Sequence, residues 1–464
     1  MASKMNGEEL KLILEEGENR TTEFKENIEG LDKEIVAFSN AHGGRILLGV
    51  SDSGEIKRIN TTNRLKSQIQ DIANNCQPRV NILIEEFDRI LIIEVHEGEK
   101  KPYMCGRGFY LRIGPNSQKL SRDEILRFAI QEGRVRYDEQ INTRFDFGED
   151  FDERRFSDFL KRSKITANLP YENILANLDL AEKQEEEGKY YFKNAVGLFF
   201  SKNVRKFNRS AYTTCILFKG RNRSHIIDRK DFDGNLVEQV EEAIRFVERN
   251  TLLAYQIKGL ERKEIAQYPA NAIREGIVNA IMHRDYFETG SNVFVYIYDD
   301  FIEIINPGGL FRIKKEELGK ICARRNELVA ELFRMLGLVE KAGTGIQRMK
   351  DAMKNAGLKK PKIDVSENFF TIRFYGHKKE ELAAISEGKI FIKLNERQKK
   401  AIEFVKEKGR ITNREYQKLN NTTRETAKLD LGKMSRLEIF ERMGSRRGTF
   451  YILSSKWVKM GKNG

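Results

Sequence analysis

Between Arg274 and Tyr286, Glu275, Asn279 and His283 recur at every fourth residue. That spacing predicts an α-helix over Asn271 to His283, with a carboxylate, a carboxamide and an imidazole on one face. A carboxylate so placed can orient a water molecule and accept its proton. An Asn oxygen one turn further on can ligate Mg²⁺, a hard cation that prefers oxygen donors. Downstream, Asn306-Pro307-Gly308-Gly309 follows an expected strand, and Lys341-Ala342-Gly343-Thr344-Gly345 opens an expected helix. Glycines ahead of a helix N-terminus leave backbone amides available for phosphate oxygens. The sequence contains no G-x-x-x-x-G-K-[ST] loop, so a motor ATPase of that type is not expected.

A helix with E-x-x-x-N, a strand ending in a glycine turn, and a second glycine turn opening a helix together resemble the GHKL ATPases. That group includes gyrase B, the heat-shock chaperone ATPases and the histidine kinases. The stretches REGIVNAIMHRDY, IEIINPGGL and KAGTGIQRM look more closely like the divergent GHKL-type domain of transcriptional regulators often labelled as related to a RecG helicase. The resemblance implies ATP and Mg²⁺, with Glu275 as hydrolytic base and Asn279 as the Mg²⁺ ligand. It places Gly308, Gly343 and Gly345 against the nucleotide, with His283, Asn306, Gly309 and Thr344 beside them. Two departures stand out: Asn306 occupies the place of the usual adenine-reading Asp, and the second glycine box is short. ATP binding with slow or absent hydrolysis is therefore expected.

The N-terminal region carries Glu18-Asn-Arg-Thr-Thr-Glu23-Phe24-Lys25, then Ala37-Phe38-Ser-Asn40-Ala-His-Gly43-Gly44 and Gly49-Val50-Ser-Asp52. Lys101-Pro-Tyr and Gly108-Phe-Tyr110-Leu-Arg112-Ile-Gly114 follow. Together these resemble the Schlafen-type AlbA domain. The resemblance implies nucleic-acid binding, here through Lys25, Arg45, Lys101 and Arg112. In some Schlafen members it implies a metal-dependent endoribonuclease built on two Glu and one Asp, which map to Glu18, Glu23 and Asp52. Three such carboxylates can hold Mg²⁺ or Mn²⁺ against a phosphodiester. Glu18 and Glu23 are an odd number of residues apart, so a straight strand would send them to opposite faces. The turn at Asn19-Arg20 has to bring them together.

The last seventy residues predict three helices and a hairpin, the order of a winged helix-turn-helix. Thr412 starts the second helix, Asn420-Asn421 makes the turn, and Thr422 or Thr423 caps the third. Ala427, Leu431 and Met434 face inward, leaving Arg424, Lys428 and Lys433 outward. Such cations suit phosphates, and Thr423 suits a base edge. Arg446 and Arg447 sit at the wing tip, and Trp457 reads as packing within a basic tail. From Asn395 onward there are 18 Lys+Arg against 8 Asp+Glu, most of the chain's net +13. A polyanionic partner follows from that imbalance.

The expected fold class is α+β multidomain. It comprises an AlbA/Schlafen-like domain over 1–132, a GHKL-like α/β sandwich over 136–376, a charged linker over 377–394 and a winged helix-turn-helix over 395–464. Within the sandwich, Ala195 to Phe200 and Thr213 to Lys219 both read as strands. Four scattered cysteines with no C-x-x-C pair suggest neither zinc nor a disulfide framework, and fit a cytoplasmic protein. No eighteen-residue apolar run is present, so no membrane role is expected. The resulting expectation is a DNA-binding regulator whose state is set by nucleotide, assembled as a homo-oligomer because GHKL domains commonly dimerise, with RNA as a further possible partner. The alternatives are an ATP-gated, Schlafen-like nuclease, for instance in phage defence, and a scaffold with vestigial sites.

Overall fold

A computed structural model describes residues 6–455 apart from 187, 259–260, 341–342, 387–394 and 446–447. Lys341, Arg446, Arg447 and Trp457 lie outside the described residues. The chain is a mixed α+β, multidomain protein, as the sequence predicts. No helix among the described residues is long and apolar enough to cross a membrane.

The first region contains α1 (Gly7–Glu16), β1 (Thr22–Lys25), α2 (Leu31–Asn40), β2 (Gly44–Leu48), α3 (Asn63–Asn74), β3 (Ile82–Phe87) and β4 (Ile90–Val95). Its sheet runs β1-β2-β4-β3, with β1 and β2 parallel and the other pairs antiparallel. A smaller sheet of β5 (Met104–Cys105), β6 (Gly108–Ile113) and β7 (Asn116–Lys119) packs on α2, and α4 (Arg122–Gln131) follows behind a Ser121/Glu124 capping box. Helix α2 is buried over most of its length, and its last residue fixes it to the small sheet. Buried Asn40 donates to the carbonyls of Tyr103 (2.9 Å) and Tyr110 (2.8 Å) and accepts from the Tyr103 amide (2.7 Å). Gly43 then turns the chain at φ 77°, where a Cβ would lie 2.6 Å from the Val95 carbonyl oxygen. Only glycine permits both that backbone and that approach.

The middle region begins with α5 (Phe147–Asp150), α6 (Glu153–Arg162) and α7 (Tyr171–Asn177), then the paired strands β8 (Ala181–Gln184) and β9 (Lys189–Phe192). Next come α8 (Asn194–Phe200), α9 (Val204–Phe207), β10 (Thr213–Phe218), β11 (Ile226–Phe232), α10 (Leu236–Arg249), the β12–β13 pair (Leu253–Lys258, Glu261–Ala266) and α11 (Ala270–Met282). The region closes with β14 (Val293–Ile297), β15 (Phe301–Pro307), α12 (Glu327–Met335), α13 (Gly345–Asn355), β16 (Lys362–Val365) and β17 (Phe369–Tyr375). The six-stranded sheet runs β11-β10-β14-β15-β17-β16, and only β10 and β14 are parallel. Helices α10, α11, α12 and α13 share one hydrophobic core with this sheet.

One expectation fails here. Residues 195–200 form most of helix α8 rather than a strand. The run Ala-Val-Gly-Leu-Phe-Phe is buried on every side, and a continuous apolar stretch carries no periodicity to separate helix from strand. The expected linker also contains a helix, α14 (Lys379–Ser386), packed against β12 with Leu382 buried.

The C-terminal region folds as α15 (Glu396–Lys408), α16 (Asn413–Asn420), α17 (Arg424–Arg436) and the antiparallel strands β18 (Phe440–Met443) and β19 (Phe450–Leu453). Thr412 and Thr423 are the N-caps, and Asn421 turns the chain at φ 45°. Ala427, Leu431 and Met434 are fully buried in a separate core. Asp430, 8% exposed, ties all three helices together. It accepts from the Tyr416 hydroxyl (2.9 Å), Arg397 Nε (2.9 Å) and Gln398 Nε2 (3.4 Å). Asp430→Ala strands a buried hydroxyl and amide, and should destabilise this region by about 2 kcal/mol. Hydrogen exchange should show the amides of α15–α17 opening more readily while those of α10 and α11 do not change.

Candidate functional site

Helix α11 turns its polar face toward the start of α13, and the cavity between them is floored by β15. Glu275, Asn279, His283, Asn306, Gly309, Gly343, Thr344 and Gly345 all line it. Gly308 does not; its amide donates to the Asn368 carbonyl (2.7 Å), and its φ of 102° explains the glycine. The start of α13 carries no side-chain cap, which leaves the electropositive end of the helix open to the cavity. Gly345 lets the Glu275 carboxylate lie close against the helix, since a Cβ there would overlap Glu275 Oε1 unless that side chain moved, and would lie 3.0 Å from Asn279 Nδ2.

Glu275 uses both carboxylate oxygens within this site. Oε1 accepts from Asn279 Nδ2 (3.1 Å) and Oε2 from Arg348 Nη2 (2.9 Å). Arg348 also pairs with Glu340. Two more arginines line a wall that is otherwise mostly apolar: Arg325 binds Asp285 (2.8 Å) and the Gly309 carbonyl (3.0 Å), and Arg324 pairs with Glu327 (2.7 Å). Burial and the charges of Arg325 and Arg324 hold the His283 imidazole down at about 4, so it is neutral at physiological pH. Asn306 is 3% exposed, and its side-chain oxygen is buried with no hydrogen-bond partner among the described residues. An orphaned buried acceptor in a cavity wall is costly unless a ligand or water meets it. The sequence reading missed Arg348, although it lies three residues after Gly345 and so on the same helical face.

The N-terminal residues come together differently from the expectation. Backbone pairing of Asn19 with Thr22 closes the expected turn, and Glu18 then accepts from the Phe24 amide (3.1 Å). Glu23 binds Arg112 Nη1 (2.7 Å), and Glu34 lies 3.6 Å from the same nitrogen. Arg112 also donates to the carbonyls of Asn19 and Thr22, and its side chain is fully buried. It therefore cannot serve as a phosphate contact, and is instead the counter-ion that holds this fold together. Lys101 is likewise buried, on the Ala41 carbonyl (2.8 Å) and Glu97 (2.7 Å). Lys25 and Arg45 keep partial exposure while paired with Glu34 (3.9 Å) and Glu9 (2.9 Å). Asp52 is exposed. Among the described residues, no three His, Cys, Asp or Glu side chains are grouped to hold a metal, so the Glu18–Glu23–Asp52 metal site does not form in this structure.

Burial, followed by the negative charge of Glu34, pushes the Glu23 carboxyl up to about 7 despite Arg112. One guanidinium shared by two buried carboxylates leaves room for a proton. Glu34→Gln removes the competing charge. The Glu23 titration, followed by carboxyl carbon NMR, should move down toward the ordinary carboxylate range.

In the C-terminal region, Thr423, Arg424, Lys428 and Lys433 are all exposed, as is Arg436 in the last turn of α17. No acidic side chain is paired with Arg424 or Lys428 in the structure described.

Comparison with known proteins agrees with two of these regions. Residues 290–374 match the family model described as "Putative ATP-dependent DNA helicase recG C-terminal". That range includes Asn306 and the glycine turn before α13 and begins after α11, so the assignment of Glu275 and Asn279 rests on the geometry of the cavity. No curated protein matches the chain. Among solved structures, the DIP2311 protein from Corynebacterium diphtheriae is similar at 18% identity and a TM-score of 0.44, over 96% of this chain and 94% of that one. Residues 18–121 match the model described as Schlafen, AlbA_2, so the chain carries a Schlafen AlbA_2 domain followed by a domain of the recG C-terminal, GHKL-like type.

Proposed function

We propose that this protein is a DNA-binding regulator whose state is set by ATP bound between α11 and α13. The observation that carries the nucleotide half is the convergence of an uncapped helix N-terminus, three arginines and an orphaned buried amide oxygen on one cavity. Phosphates suit the helix end and the guanidiniums. Asn306 supplies a polar contact for a planar base among apolar walls. Asn279, whose Nδ2 is occupied by Glu275, keeps its oxygen as a donor atom for Mg²⁺. When bound, Mg²⁺ would offset the charge of the phosphates. Glu275 is the residue suited to accept a proton from water, but both of its oxygens are engaged. That supports binding with slow turnover.

The DNA half rests on the C-terminal region, read as a winged helix-turn-helix. Helix α17 buries Ala427, Leu431 and Met434 and leaves Arg424, Lys428, Lys433 and Arg436 on its outer surface. That is the disposition of a recognition helix, whose cations meet phosphates while Thr423 is near base edges. The nuclease reading is weaker because Glu18 and Glu23 are committed to the Phe24 amide and Arg112.

Two measurements test this reading. The full chain should shift duplex DNA at low salt, with affinity falling steeply as salt rises; Arg424→Glu with Lys428→Glu should weaken binding on the order of a hundredfold and flatten the salt slope. Equal binding by wild type and the double variant would refute the assignment of α17. Saturating ATP with Mg²⁺ should raise the melting temperature of wild type. An unchanged melting temperature under saturating conditions would refute the nucleotide half.

A further inference from the structure

Arg348 makes an incomplete set of contacts for a guanidinium in a cavity wall. Nη2 binds Glu275 at 2.9 Å and Nη1 pairs with Glu340, while Nε is buried with no hydrogen-bond partner among the described residues. Its two acids differ in setting. The Glu275 side chain is 14% exposed and the Glu340 side chain 72% exposed, so the second pairing is screened by water and is weak. Arg348 also lies in the first turn of α13, where its own amide donates to the Thr344 carbonyl (2.9 Å). An anion arriving at the open helix end therefore arrives within reach of the guanidinium.

A phosphate is a better partner for this fork than two separate carboxylates, because its oxygens can meet two parallel N–H groups at once. Taking Arg348 from Glu275 has a chemical consequence. Glu275 loses the cation that occupies Oε2 and keeps only the Asn279 contact on Oε1, which leaves one oxygen free to accept a proton. We propose that Arg348 is the phosphate sensor of this cavity: with the cavity empty it locks Glu275, and the anionic end of a nucleotide takes the guanidinium and releases that carboxylate. The inference rests on the nucleotide reading above and adds to it the part of the ligand that is sensed and the residue that senses it. Arg348 acts through Glu275 and is a positioning residue with respect to any proton transfer.

The test is isothermal titration of the full-length protein with ATP and, separately, with adenosine, in Mg²⁺. Wild type is compared with Arg348→Ala, Glu275→Gln and Glu340→Gln. Arg348→Ala should weaken ATP binding on the order of tenfold or more and leave adenosine binding unchanged. Removing the buried competitor in Glu275→Gln should do the reverse, tightening ATP by about three- to tenfold with adenosine again unchanged, whereas Glu340→Gln, whose pairing is exposed and weak, should change ATP binding far less. A merely structural arginine would not produce opposite signs in these variants or spare the nucleoside. If wild type binds ATP and all three variants bind it equally well, the sensor is refuted while the nucleotide reading stands. If Arg348→Ala loses both ligands, Glu275→Gln decides, because it keeps the shape of the side chain and removes only its charge; unchanged ATP affinity there overturns the proposal. If wild type binds neither ligand, both readings fall together.

Discussion

The approach of the α13 N-terminus to the polar face of α11 is the constraint on which the candidate site depends. With glycine at residue 345 the Glu275 carboxylate sits directly against the start of α13, in space that a Cβ would share. The contact places a helix end, with its unmet backbone amides, against a carboxylate and a carboxamide on the neighbouring helix. A carboxylate at a helix N-terminus is favourable, so this contact is electrostatically satisfied. It is also poised for exchange, since a more highly charged anion can take the same place. Behind this contact, β15 and β17 hold Asn306 in register with Phe370, and Gly309 carries the chain past Ser366 and Glu367 where no side chain would fit.

The N-terminal domain solves a different problem with similar groups. Arg112 is buried between Glu23 and Glu34 and bonded to the backbone of the turn that joins α1 to β1. Removing one partner of such a cluster leaves an uncompensated charge, which is far costlier than the net gain of making the pair. The carboxylates that suggest metal chemistry are in this way committed to holding the turn and the sheet together. The basic surplus of the chain lies instead in its last seventy residues, on a region whose core is separate from the others.

Periodicity and capping made most of the fold legible. The fourfold recurrence of Glu275, Asn279 and His283 placed α11 and its polar face, and Thr412, Asn421 and Thr423 marked the ends of the C-terminal helices. Eight of the nine residues assigned to the nucleotide site line one cavity; Gly308 serves the turn instead. What was hidden depends on burial. Nothing in Ala195 to Phe200 separates a buried helix from a buried strand, and Arg112 looks like any surface cation until its neighbours are known. The pairing of Arg348 with Glu275 joins residues 73 positions apart, and no local pattern reports it.

Hydrogen exchange across the whole chain, with and without saturating ATP and Mg²⁺, tests the central claim most directly. The account predicts slower exchange in the first turn of α13, in the Asn306–Gly309 turn and along α11, with β1 and β2 of the N-terminal sheet unchanged. Unaltered exchange in all three of those segments, under conditions where the protein is folded, would contradict it.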